Sequence, residues 1–325
     1  MIRWIRNSEG KRFMEYITLK NSDLKVSRLC MGGCPMGGYG WGDVQEQELI
    51  DAVHVALDNG VTIFDTADTY GLGQSERTLG KALGSKRKDV VIADKFGVRA
   101  GNGPTYYDNS PEYIREALEL SLKNLGTDYI DLYQVHYRDG KTPLSVVIDA
   151  LEELKKEGKI RYYGLSNIHE ADYDEIRPFI GKIVSVQDEY SLACRKNEQD
   201  LKTLYSEFQI SPFTWGSLGQ GILTGKYDKN AVFESNDRRS RETYVNFHGD
   251  KLLRNLDIVE AMRPIAEAHG KPISAVAIRF ILDWLEGSVV LVGAKRPSQI
   301  LGNIAGLDWD LTDEELKTLE EISRD

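Results

Sequence analysis

The chain has 325 residues, 41% of them apolar and 28% charged, with 41 basic and 51 acidic side chains and a net charge of −10. That composition supports a large buried core and excludes an intrinsically disordered chain. The acidic balance excludes a broad basic surface for nucleic acid, and no run nears the roughly 18 apolar residues of a membrane helix. Cys30, Cys34 and Cys194 are too few, and odd in number, for a disulfide framework. They fit free thiols in a reducing cytoplasm.

Residues 1–13 carry Arg3, Arg6, Lys11 and Arg12 with no apolar stretch behind them. They read as a polar extension and not as a secretory signal. A single domain is expected over 14–325. Glu15–Lys25, with Asn21-Ser22 between apolar flanks, predicts a hairpin. Eight apolar runs of strand length follow: Arg28–Gly32, Thr62–Thr66, Val90–Lys95, Ile130–His136, Tyr162–Ser166, Ile183–Gln187, Pro212–Trp215 and Val289–Gly293. Helical patterns separate them, at about 45–59, 75–83, 110–125, 143–157, 170–179, 197–208 and 252–269, with another at 298–304 after the last run. In the third, Ser110 suits an N-cap, Pro111 the first turn, and Ile114, Leu118, Leu122 and Leu125 recur at helical spacing before Gly126. A further helix is expected over Ser274–Trp284, and Thr312 to Glu315 has the spacing of a capping box. The longest irregular stretch, 228–251, contains Arg238, Arg239 and Arg241 and reads as a lid. Alternating strands and helices predict parallel strands with crossover helices. Eight repeats predict an α/β fold, a closed (β/α)8 TIM barrel with the hairpin closing its bottom.

In such a barrel the site lies at the C-terminal strand ends. The second run ends in Asp65, with Tyr70 five residues on; the third ends in Lys95 and the fourth in His136. The fifth reaches Ser166-Asn167, the sixth Gln187 and the seventh Trp215. The eighth enters Gly293-Ala294-Lys295-Arg296. Singly, each has a plainer explanation: a turn cap, a solvated strand end, a packed ring. Together they bring a carboxylate, a phenol, an ammonium and an imidazole to one rim. A phenol with pKa near 10 is a poor acid at neutral pH, and a nearby ammonium is expected to lower that pKa. The set makes a general acid for carbonyl reduction, with hydride from a nicotinamide cofactor. Asn167 and Gln187 can bond a carboxamide, and Trp215 offers a flat face. Gly216 to Gly221 is glycine-rich and suits a pyrophosphate. Lys295 and Arg296 precede a helix and suit a 2′-phosphate. No G-x-G-x-x-G occurs.

These residues stand in longer motifs: Val61-Thr-Ile-Phe-Asp-Thr-Ala-Asp-Thr-Tyr-Gly71, Asp94-Lys-Phe-Gly97, Tyr129-Ile-Asp-Leu-Tyr-Gln-Val-His136, Gly158-Lys-Ile-Arg-Tyr-Tyr-Gly-Leu-Ser-Asn167 and Gly293-Ala-x-Arg-x-x-Gln299. With them the chain, from about Met14 onward, resembles the aldo-keto reductases, in the branch of bacterial reductases similar to potassium-channel β subunits. The resemblance implies Tyr70 as proton donor, Asp65 and Lys95 as its tuning pair, and His136 as the group orienting the substrate. It implies cofactor contacts from Gly33, Asp65, Ser166, Asn167, Gln187, Trp215, Gly216, Ser217, Leu218, Gly221, Lys226, Gly293, Lys295, Gln299 and Asn303. The cofactor would be NADP(H), with NAD the alternative, and no metal is expected. Gly216-Ser217-Leu218 replaces the usual Ser-Pro-Leu, and Gly302 stands where a Glu often precedes the adenine-end asparagine. The expected partner is a small-molecule carbonyl, with a homo-oligomer compatible and no nucleic acid or membrane. Two readings compete: an NADP-binding regulatory subunit with little turnover, and a Schiff-base barrel built on Lys95.

Overall fold

A computed structural model of the chain describes residues 3–6, 12–101 and 103–324. Asn21 adopts φ 57°, a left-handed conformation that asparagine tolerates, between two antiparallel strands. These are β2 (Arg12–Thr18) and β3 (Lys25–Ser27), in the register Ile17 to Val26. A strand β1 (Arg3–Arg6) pairs along the other edge of β2. The rest of the expected extension, apart from 12 and 13, lies outside the described residues.

The elements then follow as β4 (Leu29–Gly32), α1 (Glu46–Asp58), β5 (Ile63–Asp65), α2 (Gln74–Leu83) and β6 (Val91–Phe96). A small ribbon of β7 (Val98–Arg99) and β8 (Tyr106–Tyr107) precedes α3 (Pro111–Leu125). Next come β9 (Ile130–Val135), α4 (Leu144–Lys156), β10 (Ile160–Ser166), α5 (Tyr173–Ile176), β11 (Ser185–Glu189), α6 (Glu198–Ser206) and β12 (Ser211–Trp215). The chain ends with α7 (Gly249–His269), α8 (Ile273–Trp284), β13 (Val289–Gly293), α9 (Pro297–Ile304) and α10 (Asp313–Ser323). The eight strands β4, β5, β6, β9, β10, β11, β12 and β13 form a closed parallel barrel, and β13 returns to pair with β4.

Strands β6 and β9 are buried along their whole length, on both faces, although each carries polar residues within its apolar run. Alternate residues serve two cores. Phe64, Ile92, Tyr133, Val186 and Val290 face the helices. Ile63, Val91, Ala93, Leu132, Val184, Phe213, Val289 and Leu291 fill the interior, where they meet Ile17, Leu19, Leu24 and Val26 of the hairpin region. The hairpin therefore plugs the bottom, as expected. Glu15 ties it down: buried Arg28 pairs with its carboxylate at 3.0 Å and buried Arg279 of α8 at 2.5 Å.

The expected helix over 170–179 is broken instead. Glu170–Asp172 and Arg177–Phe179 are 3₁₀ turns around the short α5. Pro178 has no N–H to donate and cannot continue a regular helix. The 228–251 stretch holds 3₁₀ turns at Arg238–Ser240 and Val245–Phe247, and α7 starts at Gly249, three residues before its apolar pattern. No described helix is long and apolar enough to cross a membrane.

Candidate active site

Asp65 and Lys95 are strand-end residues of neighbouring strands, and both side chains point inward. Lys95 is fully buried, and its ammonium donates to both carboxylate oxygens of Asp65 at 2.6 Å and to the Thr66 carbonyl at 2.8 Å. A buried charge needs such a set of partners to be tolerated. Gln187 completes it, donating from Nε2 to Asp65 Oδ2 at 2.9 Å. The turn after β5 brings Tyr70 above this pair. The Lys95 nitrogen lies 5.1 Å from the Tyr70 ring centre. His136 stands edge-on to Tyr70, with ring centres 5.8 Å apart. The four residues expected at one rim do meet there.

One expectation about them fails. The Tyr70 phenol sits well above its ordinary range, and not below it, chiefly through burial, with Asp65 adding to the effect. The physical reason is that Lys95 is already neutralised by Asp65. Tyr70 is thus a firmly protonated donor. His136 is held at about 3, by burial first and by the Lys95 charge second. It is a neutral imidazole, with a buried Nδ1 lacking a partner among the described residues. Two tyrosines extend the His136 wall outward: Tyr137 stacks on His136 at 4.9 Å and Tyr107 on Tyr137 at 5.0 Å.

The residues expected to meet a cofactor divide into two groups. Ser166, at the end of β10, has a buried hydroxyl without a partner among the described residues. Asn167 follows in a left-handed conformation, φ 56°, and donates from Nδ2 to the His136 carbonyl at 3.0 Å. Trp215 is half-buried at the end of β12. Gly216 and Gly221 have φ 66° and 108°, so the loop between them depends on glycine. Leu218 is half-buried there, and Asn303 is buried in α9.

Most of the others are engaged within the protein, and Lys226 and Arg296 face solvent. A Cβ on Gly33 would lie 2.6 Å from Ser75 Oγ, so that glycine serves close packing. Ser217 Oγ is held by Thr214. Lys226 is exposed. Gly293 lies against the Pro35 ring. The Lys295 ammonium donates to the Trp41 carbonyl, and Gln299 accepts from the Lys295 amide at 2.7 Å. Arg296 is exposed before α9.

Trp41 and Asp237 were not expected at the site, and Arg239 only as one of the arginines of the 228–251 stretch. Asp237 bridges to Gly40 and Trp41, and the Arg239 side chain binds Asp237 at 2.9 Å and the Tyr227 hydroxyl at 2.6 Å. The 228–248 segment is thereby fastened to the loop after β4. The run Gly37-Gly38-Tyr39-Gly40-Trp41-Gly42 was the available signal, because such glycine density marks tight backbone approach.

A model of the aldo/keto reductase family matches residues 28–324. The NADH-specific methylglyoxal reductase of Escherichia coli is 32% identical, with 95% of this chain and 98% of that protein covered. Among solved structures, the glycerol dehydrogenase AKR11B4 from Gluconobacter oxydans superposes with a TM-score of 0.85 at 32% identity, covering 94% of each chain. An aldo-keto reductase from Klebsiella pneumoniae in complex with NADPH gives a TM-score of 0.74 at 26% identity over 94% of each chain.

Proposed function

The chain belongs to the aldo/keto reductase family of oxidoreductases, and from that premise we propose that it reduces an aldehyde or ketone to the alcohol, reversibly, using NADPH. The observation that carries this reading is the Asp65–Lys95 pair, fully engaged beneath a protonated Tyr70 that faces a neutral His136. The unpartnered Ser166 hydroxyl, beside Asn167 and Gln187, fits a ring that carries an amide. Those three residues would hold the carboxamide, Trp215 the ring face, and the Gly216–Gly221 loop the pyrophosphate. Lys295, Gln299 and Asn303 would meet the adenosine end. When bound, the reduced nicotinamide supplies hydride.

Tyr70 gives its proton to the carbonyl oxygen. His136, uncharged, positions that oxygen through a hydrogen bond and does not compete as an acid. Lys95 and Asp65 hold the floor of the pocket and fix where Tyr70 rests. Gln187 keeps Asp65 oriented. Removing the phenolic proton source is expected to cost about 10²- to 10⁴-fold in kcat. The test is Tyr70→Phe, followed by NADPH absorbance on an aldehyde panel and by fluorescence titration of NADPH. Lost turnover with retained cofactor binding is expected; a normal rate sinks the assignment.

The relative named above uses NADH, whereas Lys295 and Arg296 beside the N-terminus of α9 favour a 2′-phosphate. Dissociation constants for NADPH and NADH decide this, and equal affinities overturn the NADPH preference.

A further inference from the structure

Arg238 lies across the loop that backs Tyr70. Its amide donates to the Gly40 carbonyl at 3.0 Å, and its guanidinium stacks on the Tyr39 ring at 4.9 Å. A Cβ on Gly40 would lie 2.2 Å from Arg238 Nε, so the glycine makes the space in which this side chain rests. The same loop is pressed against Tyr70: a Cβ on Gly37 would lie 2.6 Å from the Tyr70 carbonyl carbon.

Arg238 is half-buried and has no carboxylate partner among the described residues. The adjacent Asp237 is engaged by Arg239, whose Nη2 reaches it at 2.5 Å. Arg241 is turned away to the Tyr39 hydroxyl at 3.2 Å. The Arg238 charge is felt at the Tyr70 hydroxyl and at the Cys34 thiol, where it opposes the upward push of burial. A partly exposed guanidinium that no carboxylate engages, held on the loop behind Tyr70, is free to pair with an incoming anion.

We propose that Arg238 recognises an anionic substituent, a carboxylate or phosphate, on the carbonyl substrate. The substrate class is then an oxo-acid or a phosphorylated aldehyde. The aromatic wall of His136, Tyr137 and Tyr107 bounds the pocket with rings, leaving Arg238 to read charge. This assignment rests on the reductase reading above.

Two matched pairs test it: 4-oxobutanoate against butanal, and glyceraldehyde 3-phosphate against glyceraldehyde. The readout is the ratio of kcat/KM, anionic over neutral. In the parent enzyme the ratio exceeds one for at least one pair. Arg238→Gln lowers that ratio about tenfold to a hundredfold, the scale of one charge-assisted hydrogen bond, mainly through KM. Arg238→Lys keeps the charge without the fork and retains part of the ratio. Arg263→Gln removes the same charge on α7, where Arg263 pairs with Glu260, and keeps the parent ratio. An unchanged ratio in Arg238→Gln for both pairs overturns the assignment. So does an equal fall for both members together with weaker NADPH binding, since Arg238 then serves the cofactor. Absence of Tyr70-dependent turnover on all four aldehydes overturns the reductase reading and this assignment with it. Turnover with an unchanged ratio overturns the assignment alone.

Discussion

Tyr70 lies above an ammonium and a carboxylate that neutralise each other, so its phenol responds to burial more than to charge. Lys95→Met would leave Asp65 buried and unpaired. A loss of about 3–5 kcal/mol is expected in urea unfolding, the scale of breaking a buried ion pair from one side. His136 carries a pH signature. Its pKa falls from an ordinary 6.5 to about 3 in the folded chain, through burial and then Lys95. The unfolded chain therefore binds the extra proton first. The stability that this group contributes is complete above pH 6.5 and is lost as pH falls toward 3. Melting temperature should drop between pH 7 and 4, and less steeply in His136→Gln; identical slopes would refute the attribution. The side chains proposed to react were readable in the sequence because Asp65, Lys95 and His136 each stand at the end of an apolar run of strand length and Tyr70 follows one in the next turn. Their partners were not. Nothing in a linear string turns the Gln187 amide toward Asp65, commits the Lys295 ammonium to the Trp41 carbonyl or packs Gly33 on Ser75. Those depend on which strands become neighbours.

The elements that position the site were readable where periodicity and caps agreed. Ser110 does cap α3, accepting from the Tyr113 amide, and Gly126 does end it at φ 64°. The 170–179 stretch misled because its apolar spacing outlasts the helix that Pro178 permits. The hairpin makes a direct prediction. Leu24 is buried in the interior plug. Leu24→Ala should destabilise by about 2–4 kcal/mol in urea unfolding, with kcat/KM retained, because the reacting groups sit at the opposite strand ends. A second prediction concerns the turn after β5. Burial pushes Asp68 up to about 7, with Glu76 of α2 adding to it, against the hydrogen bond donated by Tyr113 of α3. The raised value means that the contribution of this carboxyl is complete below its ordinary range near 4 and disappears as pH rises through 7. Asp68→Asn, which can still accept from Tyr113, should raise the melting temperature at pH 8 and leave it nearly unchanged at pH 4.

At the scale of the whole molecule, barrel architecture and family were the most readable features, since eight alternations constrain topology more strongly than any single boundary. The fastening of 228–248 onto the loop after β4 was only half readable: the glycine run marks a close approach there, but nothing in the sequence assigns Asp237 to it. Cofactor binding should be visible globally. At a hundred times its dissociation constant, NADPH adds about 2.7 kcal/mol to stability, so melting temperature should climb with its concentration, and equally in Tyr70→Phe; no shift would refute dinucleotide binding. The cylinder is sealed by a seam that joins Leu29 to Val290. A nascent chain cannot make that joint until its last strand has left the ribosome. Up to that moment the protein is an arc with two raw strand margins, each able to recruit a wrong neighbour. That interval, and not the closed cylinder, is where mispairing threatens.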